Sequence, residues 1–286
     1  MYNNPDIVVI VLDYNRPDLT NRCLESIWKY NRVNVILVNS GLSDFLEYEN
    51  KVPFKYVVNR RGRSFSIGMN TGIKAASSLE PKYIILLNND AVVTEGAFRL
   101  LVTTLNSYPK IAMVSSGYRY SGGYLNKGRQ FNVKYGPDEK PRVRIRKRLT
   151  GFCLCARYEI ISDMGGYDEN FIFTMEDDDL SLRIVEKGFI LAEVENSVVI
   201  HEVSTSIRFS DDRDIFFLAK SFGLGCGLLI NKKERNSLIM LAHLFVQTIL
   251  FFVKTIVIGH RIKIGIIKFS LLGFKDGLSK QLKLNT

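Results

Sequence analysis

The sequence predicts an α/β fold: a mostly parallel, Rossmann-like sheet flanked by helices, followed by a helical tail. Three observations predict it. Short β-branched apolar runs alternate with segments of helical period from Ile7 to Ser107, the pattern of crossover units on a parallel sheet. A hydrophobic fraction of 46% over 286 residues is enough for a sizeable core. After Ser206 the texture changes, and long apolar stretches become laced with Lys and Arg. The expected division is a sheet domain over 1–206 and a basic, apolar helical tail over 207–286.

Each element has a local cause. Ile7 to Leu12 is a continuous apolar run, which suits a strand buried on both faces. Pro17 sits where its fixed φ favours a helix start, and Leu19, Cys23, Leu24 and Ile27 follow at helical spacing. Val35 to Val38 is a second strand run, closed by the turn residues Asn39-Ser40-Gly41. Phe54 to Val58 is a third strand, Ile67 to Ala76 a helix and Tyr83 to Leu87 a fourth strand. Glu95 to Ser107 is the next helix, with Thr94 as its expected cap.

From Gly117 to Leu149 the chain is rich in Gly, Tyr, Lys and Arg and reads as a long functional loop. Its basic run, Lys140, Arg142, Arg144, Arg146, Lys147 and Arg148, is either a solvated charge run or a clamp for diphosphate or for the bilayer surface. Regular patterning resumes at Gly151, with a helix over Asp179 to Lys187 closed by Gly188 and a strand at Val198 to Ile200. In the tail, Leu238 to Val253 and Thr255 to Ile258 are almost wholly apolar. The breaks at His243, Gln247, Thr248 and Lys254 favour a helix lying in the membrane interface over one that spans it.

The formal net charge of +10 points to an anionic partner. Residues 207–286 hold 13 Lys/Arg against 5 Asp/Glu, so most of the excess belongs to the tail. Because Lys254, Arg261, Lys263 and Lys268 interleave its apolar stripe, the expected partner is an anionic membrane surface. A homo-oligomer face and core packing are the other readings. No nucleic-acid module accompanies the charge, so nucleic acid is not expected. Cys23, Cys153, Cys155 and Cys226 have neither disulfide-framework nor zinc spacing and read as reduced and buried. The start Met-Tyr-Asn-Asn-Pro-Asp leads into a strand without a signal-peptide core, which predicts a cytoplasmic chain, peripheral on the inner face of the membrane.

Three candidate sites stand at the ends of apolar runs: Asp90 after Ile84-Ile85-Leu86-Leu87-Asn88-Asn89, Glu176-Asp177-Asp178-Asp179 after Phe171-Ile172-Phe173, and His201 after Val198-Val199-Ile200. The carboxyl ends of strands form the ligand crevice of an open α/β sheet. One carboxylate and one imidazole, completed by diphosphate oxygens and water, suit Mg2+ or Mn2+. Within the acidic run, Asp178 and Asp179 are expected to favour the helix dipole as solvated capping residues.

These residues, in order, carry a resemblance. Asp13-Tyr14-Asn15-Arg16, Asn39-Ser40-Gly41, Gly68-Met69-Asn70-Thr71-Gly72, Asn88-Asn89-Asp90, Gly165-Gly166-Tyr167-Asp168-Glu169, the run 176–183 and His201 resemble landmarks of the inverting family 2 glycosyltransferases. The similarity is closest to the rhamnosyltransferase-like branch and covers Ile7 to Ser206. It implies a GT-A fold and transfer of a sugar from a nucleotide diphosphate donor, dTDP-rhamnose or a UDP-hexose. The implied acceptor is a hydroxyl of a growing, lipid-linked surface glycan. It further implies a donor site of Asp13, Tyr14, Asn15, Arg16, Asn39, Asn70, Asn88 and Asn89, and metal ligation by Asp90 and His201. Asp177 is implied as the catalytic base, with Glu176 as the alternative. The family usually has Asp where Asn39 stands, and an amide accepts a hydrogen bond there without charge. Sugar-phosphate nucleotidyl transfer would instead want a Gly-rich, Lys-bearing loop after the first strand. A catalytically silent membrane assembly protein is the remaining alternative, and intact Asp90, Asp177 and His201 speak against it.

Overall fold

The structure, a computed structural model, describes residues 1–42, 55–59, 64–120, 139–201, 212–232, 238, 241, 242, 244–246, 248, 249 and 263–279. Phe54, positions 121–138 of the expected long loop, and Lys254, Thr255 to Ile258 and Arg261 of the tail lie outside the described residues. The chain forms two compact units: Met1–Tyr167 with Leu180–Ser206, and Asp168–Asp179 with Ile207–Thr286.

The first unit is built on one sheet. Its elements are β1 (Tyr2–Asp13), α1 (Pro17–Tyr30), β2 (Asn31–Asn39), β3 (Lys55–Val58), α2 (Phe65–Ala76), β4 (Tyr83–Asn88), β5 (Ala91–Val93), α3 (Ala97–Ser107) and β6 (Ile111–Tyr120). There follow β7 (Val143–Arg146), β8 (Cys153–Arg157), α4 (Tyr158–Asp163), α5 (Glu176–Glu186, in this unit from Leu180) and β9 (Ile190–His201). Among the described residues the strand order is β3-β2-β1-β4-β8-β6-β9-β5, with β7 also paired to β9. The β3-β2-β1-β4 half is parallel. Beyond it the sheet is mixed, because β8 runs antiparallel to both β4 and β6, while β6 and β9 are parallel.

Strand periodicity explains the layers. Ile7, Val9 and Val11 of β1 point to one face and pack with Cys23, Leu24 and Ile27 of α1 and Phe98 and Leu101 of α3. Val8 and Ile10 point to the other and pack with Met69 and Ile73 of α2, Ile161 of α4 and Leu180 and Ile184 of α5. Pro17 does occupy the first turn of α1, and the Ser64 hydroxyl caps α2 by accepting from Ile67 N–H at 3.3 Å.

Thr94 does not cap α3. The helix begins behind Gly96, which turns the chain in a left-handed conformation at φ 72°, and no side chain caps it. The Thr94 hydroxyl instead donates to the Val198 carbonyl at 2.6 Å, tying the exit of β5 to β9. The basic run is in part a strand. On β7, Arg144 pairs with Glu195 at 3.3 Å and Arg146 with Glu193, both across to β9. The four cysteines are free and buried, and burial pushes the Cys153 and Cys226 thiols up to about 12, so neither is a ready nucleophile at neutral pH.

The second unit contains α6 (Asp212–Asn231), α7 (Lys263–Ser279) and helical residues between 238 and 249. Gly223 and Gly227 of α6 face the carbonyls of Ser270 and Phe274, and Gly273 and Gly277 of α7 face those of Lys220 and Leu224. A Cβ at any of the four would collide with the opposing backbone, so the helices cross at glycine-to-backbone distance. Ile215, Ala219 and Ile266 bury one end of the crossing, where Phe216 stacks on Phe269 at 4.7 Å. Asp214–Asn231 is long and apolar enough by composition to cross a membrane, yet 67% of it is buried, as in a core helix.

Candidate functional site

Asp90 and His201 stand 111 positions apart in the sequence and meet through strand register. β4 ends at Asn88, and Asn89 and Asp90 form the turn into β5. Antiparallel pairing of β5 with β9 sets Ala91 opposite His201, which puts Asp90 beside the imidazole. His201 Nε2 lies 3.0 Å from Asp90 Oδ1, and the Asp90 side chain is 3% exposed. The imidazole is also stacked on the Phe152 ring, with centroids 5.1 Å apart and planes 12° from parallel. Phe152 is fixed in turn, because its carbonyl accepts from Asn88 N–H at 3.0 Å.

The loop after β1 is organised from below by Asp13. This carboxylate is fully buried, and its Oδ1 accepts from the Thr20 hydroxyl at 2.5 Å, Arg16 N–H at 3.2 Å and the Asn89 amide at 3.2 Å. Asn89 donates further to Thr20 at 3.0 Å. The first and fourth strand ends are therefore locked together by Asp13, Thr20 and Asn89, and of the Asn88-Asn89-Asp90 triplet Asp90 reaches His201. The Asn88 side-chain oxygen is buried without a hydrogen-bond partner among the described residues.

Tyr14 is 36% exposed at the loop tip, and Asn15 adopts a left-handed φ of 55°. Its Oδ1 accepts from Leu42 N–H at 2.6 Å, and Gly41 is required beside it because a Cβ there would strike Asn15 Oδ1. Arg16 is held by Asp18 through two bonds of 2.9 and 2.7 Å. Asn39 is buried, accepting from Gly41 N–H at 2.8 Å and donating to the Tyr56 hydroxyl at 2.7 Å. Asn70 uses both ends of its amide on the Tyr167 backbone, at 2.8 and 2.9 Å.

Glu176 and Asp177 open α5 and belong to the second unit. Glu176 is buried with Oε2 unpartnered among the described residues. Burial, reinforced by the neighbouring charge of Asp177, pushes its carboxyl up to about 8, so it is protonated at neutral pH. Asp177 is half-buried and accepts from Asp178 N–H at 3.0 Å. The expectation that Asp179 is a solvated capping residue is overturned. It is fully buried and bonded to the Lys232 ammonium, which also pairs with Asp168 at 2.7 Å. A fully buried carboxylate needs a cation, and Lys232 supplies it. Sequence reading missed Lys232, Thr20, Phe152 and Tyr56. Among them only Lys232, a charge at the end of an apolar helical run, left a visible trace.

Among the described residues no group of three or more His, Cys, Asp or Glu is arranged for a metal, so Asp90 and His201 by themselves make an incomplete shell for an ion. A buried carboxylate oxygen and an imidazole nitrogen converging at a strand end fit that incomplete shell.

Fold and sheet order define an α/β protein of GT-A-like class. The chain belongs to glycosyl transferase family 2, whose family model matches residues 8–162. Among curated protein sequences, none matches it significantly. Similar solved structures include the mannosyltransferase PcManGT from Pyrobaculum calidifontis in complex with GDP-Man and Mn2+. The two share 13% identity at a TM-score of 0.59, over 96% of this chain and 88% of that one. GalNAc-T7 with UDP, GalNAc and Mn2+ is 16% identical at a TM-score of 0.55, over 76% of this chain and 50% of that one. S. aureus TarS 1–349 is 12% identical at 0.52, over 76% and 65%. The chain thus spans about half the length of GalNAc-T7, and these likenesses speak for the fold.

Proposed function

We propose that the protein is an inverting, metal-dependent glycosyltransferase using a nucleotide diphosphate sugar, dTDP-rhamnose or a UDP-hexose. The acceptor is a hydroxyl of a growing, lipid-linked surface polysaccharide at the inner face of the cell membrane. The observation that carries this reading is the Asp90–His201 pair at 3.0 Å, a carboxylate and an imidazole brought together at strand ends in a family 2 fold. Solved relatives in complex with UDP or GDP-Man and Mn2+ support both the donor class and the ion.

Asp90 and His201 would hold Mg2+ or Mn2+, which on binding offsets the negative charge gathering on the departing nucleoside diphosphate. The chain's own residues carry the rest. Tyr14, Asn15, Arg16 and Asn39 cradle the donor nucleotide, while Asp13 and Asn89 hold that loop to the turn bearing Asp90, and Asn88 offers its buried oxygen. Asn70 steadies the 166–167 turn. Asp177 takes the proton from the acceptor hydroxyl as its oxygen bonds to the anomeric carbon. The bond from that carbon to the diphosphate breaks, its electron pair leaves with the phosphate, and a single displacement inverts the configuration. Glu176 already holds a proton at neutral pH and is buried, which favours Asp177 as the acceptor.

Calorimetric titration with UDP-, dTDP- and GDP-sugars, with and without Mn2+, tests the reading. One donor class binds in an Mn2+-dependent manner, and Asp90→Ala weakens that binding at least about tenfold. Donor binding indifferent to both Mn2+ and Asp90 would remove the metal site from the proposal.

A further inference from the structure

We propose that Lys232, at the end of α6, is a positioning residue that holds segment 168–179 in the conformation presenting Asp177; this rests on the reading of Asp177 as the base. The Lys232 ammonium stands between the two ends of that segment. It pairs with Asp168 Oδ2 at 2.7 Å and bonds Asp179 in the first turn of α5. It also lies 5.2 Å from the centre of the Phe171 ring. The other oxygen of Asp168 accepts from both the backbone and the amide N–H of Asn170, at 2.9 and 2.8 Å, so the start of the segment is knotted around this carboxylate. Burial opposes the charge on Lys232, but Asp179 and Asp168 outweigh it and hold the ammonium above its usual range.

The segment needs such a hold. Thr174 and Met175, immediately before Glu176, both have left-handed backbones, at φ 77° and 67°. That conformation is costly for side-chain-bearing residues and most so for β-branched Thr, and it persists only when its surroundings impose it. Helix α6 supplies the constraint at a second point, where Gly225 closes on Met175 and on the Thr174 carbonyl; a Cβ there would lie 3.0 and 3.2 Å from them. Asp168, Glu169, Asp177, Asp178 and Asp179 crowd negative charge into twelve residues. Without a cation joining its ends, repulsion favours opening the segment. Asp177 is two residues from Asp179 on the same helical turn, so any rotation of that turn moves the base. A displacement of about 1 Å at a reacting group costs about a hundredfold in rate.

Two measurements on the full chain test this. Lys232→Met lowers kcat for nucleoside diphosphate release, from whichever UDP-, dTDP- or GDP-sugar the wild type uses fastest, by about 10- to 100-fold. KM for that donor stays within about twofold, and Lys232→Arg restores most of the loss. Independently of activity, hydrogen exchange over 168–179 quickens in Lys232→Met and returns toward wild type in Lys232→Arg. If Lys232→Met fails to fold, Asp168→Asn, which keeps the bond to Asp179, produces the same changes at smaller amplitude. Unchanged exchange over 168–179, or a kcat equal to wild type in folded Lys232→Met or Asp168→Asn, overturns the proposal. Turnover that survives Asp177→Asn overturns the base reading instead and leaves the exchange result standing.

Discussion

At the scale of single residues, the adjacent acids Glu176 and Asp177 have opposite environments. One is buried and protonated, the other half-buried and hydrogen-bonded through Asp178 N–H. A general base must reach the hydroxyl it deprotonates and must be ionised beforehand, which counts against the buried, protonated Glu176. Asp177→Asn therefore lowers turnover by about 10^2- to 10^4-fold, with donor affinity by calorimetry unchanged. Glu176→Gln, isosteric with the protonated acid, keeps turnover within about tenfold of wild type. The same environment makes Glu176 a pH-dependent cost to the fold. Its folded carboxyl keeps a proton that the unfolded chain gives up near 4.5, so no penalty exists below that pH, and stability falls as pH climbs toward about 8. Thermal melting of wild type declines across this window, and Glu176→Gln flattens the decline. Parallel melting curves for the two proteins would contradict the assigned shift.

Among elements, the α6–α7 crossing makes the firmest demand on side-chain size. Gly277 faces the Leu224 carbonyl and Gly227 the Phe274 carbonyl, so an added side chain must push the helices apart. Gly277→Leu costs about 1–3 kcal/mol through overpacking, read as a lower urea midpoint of the helical signal. A change of at most about 0.5 kcal/mol, the range of a surface substitution, would refute the tight crossing. This crossing was poorly legible in the sequence, since the glycines register there only as breaks in an apolar run. The parallel half of the sheet was legible because Ile7–Val11, Val35–Val38 and Tyr83–Leu87 are buried on both faces and read as continuous apolar runs. The mixed half was not. β8 is Cys-Leu-Cys-Ala-Arg with no β-branched residue, β5 has three residues, and β7 hides its Val143/Ile145 alternation in a basic run. Thr94 illustrates the same limit, because its hydroxyl bonds to a strand 104 residues away and local cap chemistry gives no hint of that. The candidate site was legible as residue types at strand ends. The joining of Asp90 to His201 depends on β5–β9 register, which only tertiary structure fixes.

At the scale of the whole molecule, the uneven charge is the property most open to test. Residues 207–286 carry 13 Lys/Arg against 5 Asp/Glu, and apolar side chains there stand exposed. Leu238, Leu241, Phe245 and Ile249 recur at helical spacing with exposures of 75, 44, 67 and 44%. A basic, apolar surface of this kind suits the interface of an anionic bilayer, where each nearby Lys or Arg contributes about 1 kcal/mol and apolar side chains enter the headgroup boundary. We therefore expect the protein to sediment with phosphatidylglycerol-containing vesicles and much less with neutral phosphatidylcholine vesicles. Raising salt from about 0.1 M to about 1 M shortens the screening length from about 10 Å to about 3 Å and releases most of it. Phe245→Gln with Leu241→Gln weakens binding to the same vesicles at low salt, because the apolar share of the attraction is lost. The two effects separate the modes of attachment. A protein lying on the surface responds to both salt and the apolar substitutions, whereas one that spans the bilayer stays with the vesicles through high salt and alkaline washing. Equal sedimentation with neutral and anionic vesicles would deny the tail its role as an electrostatic anchor.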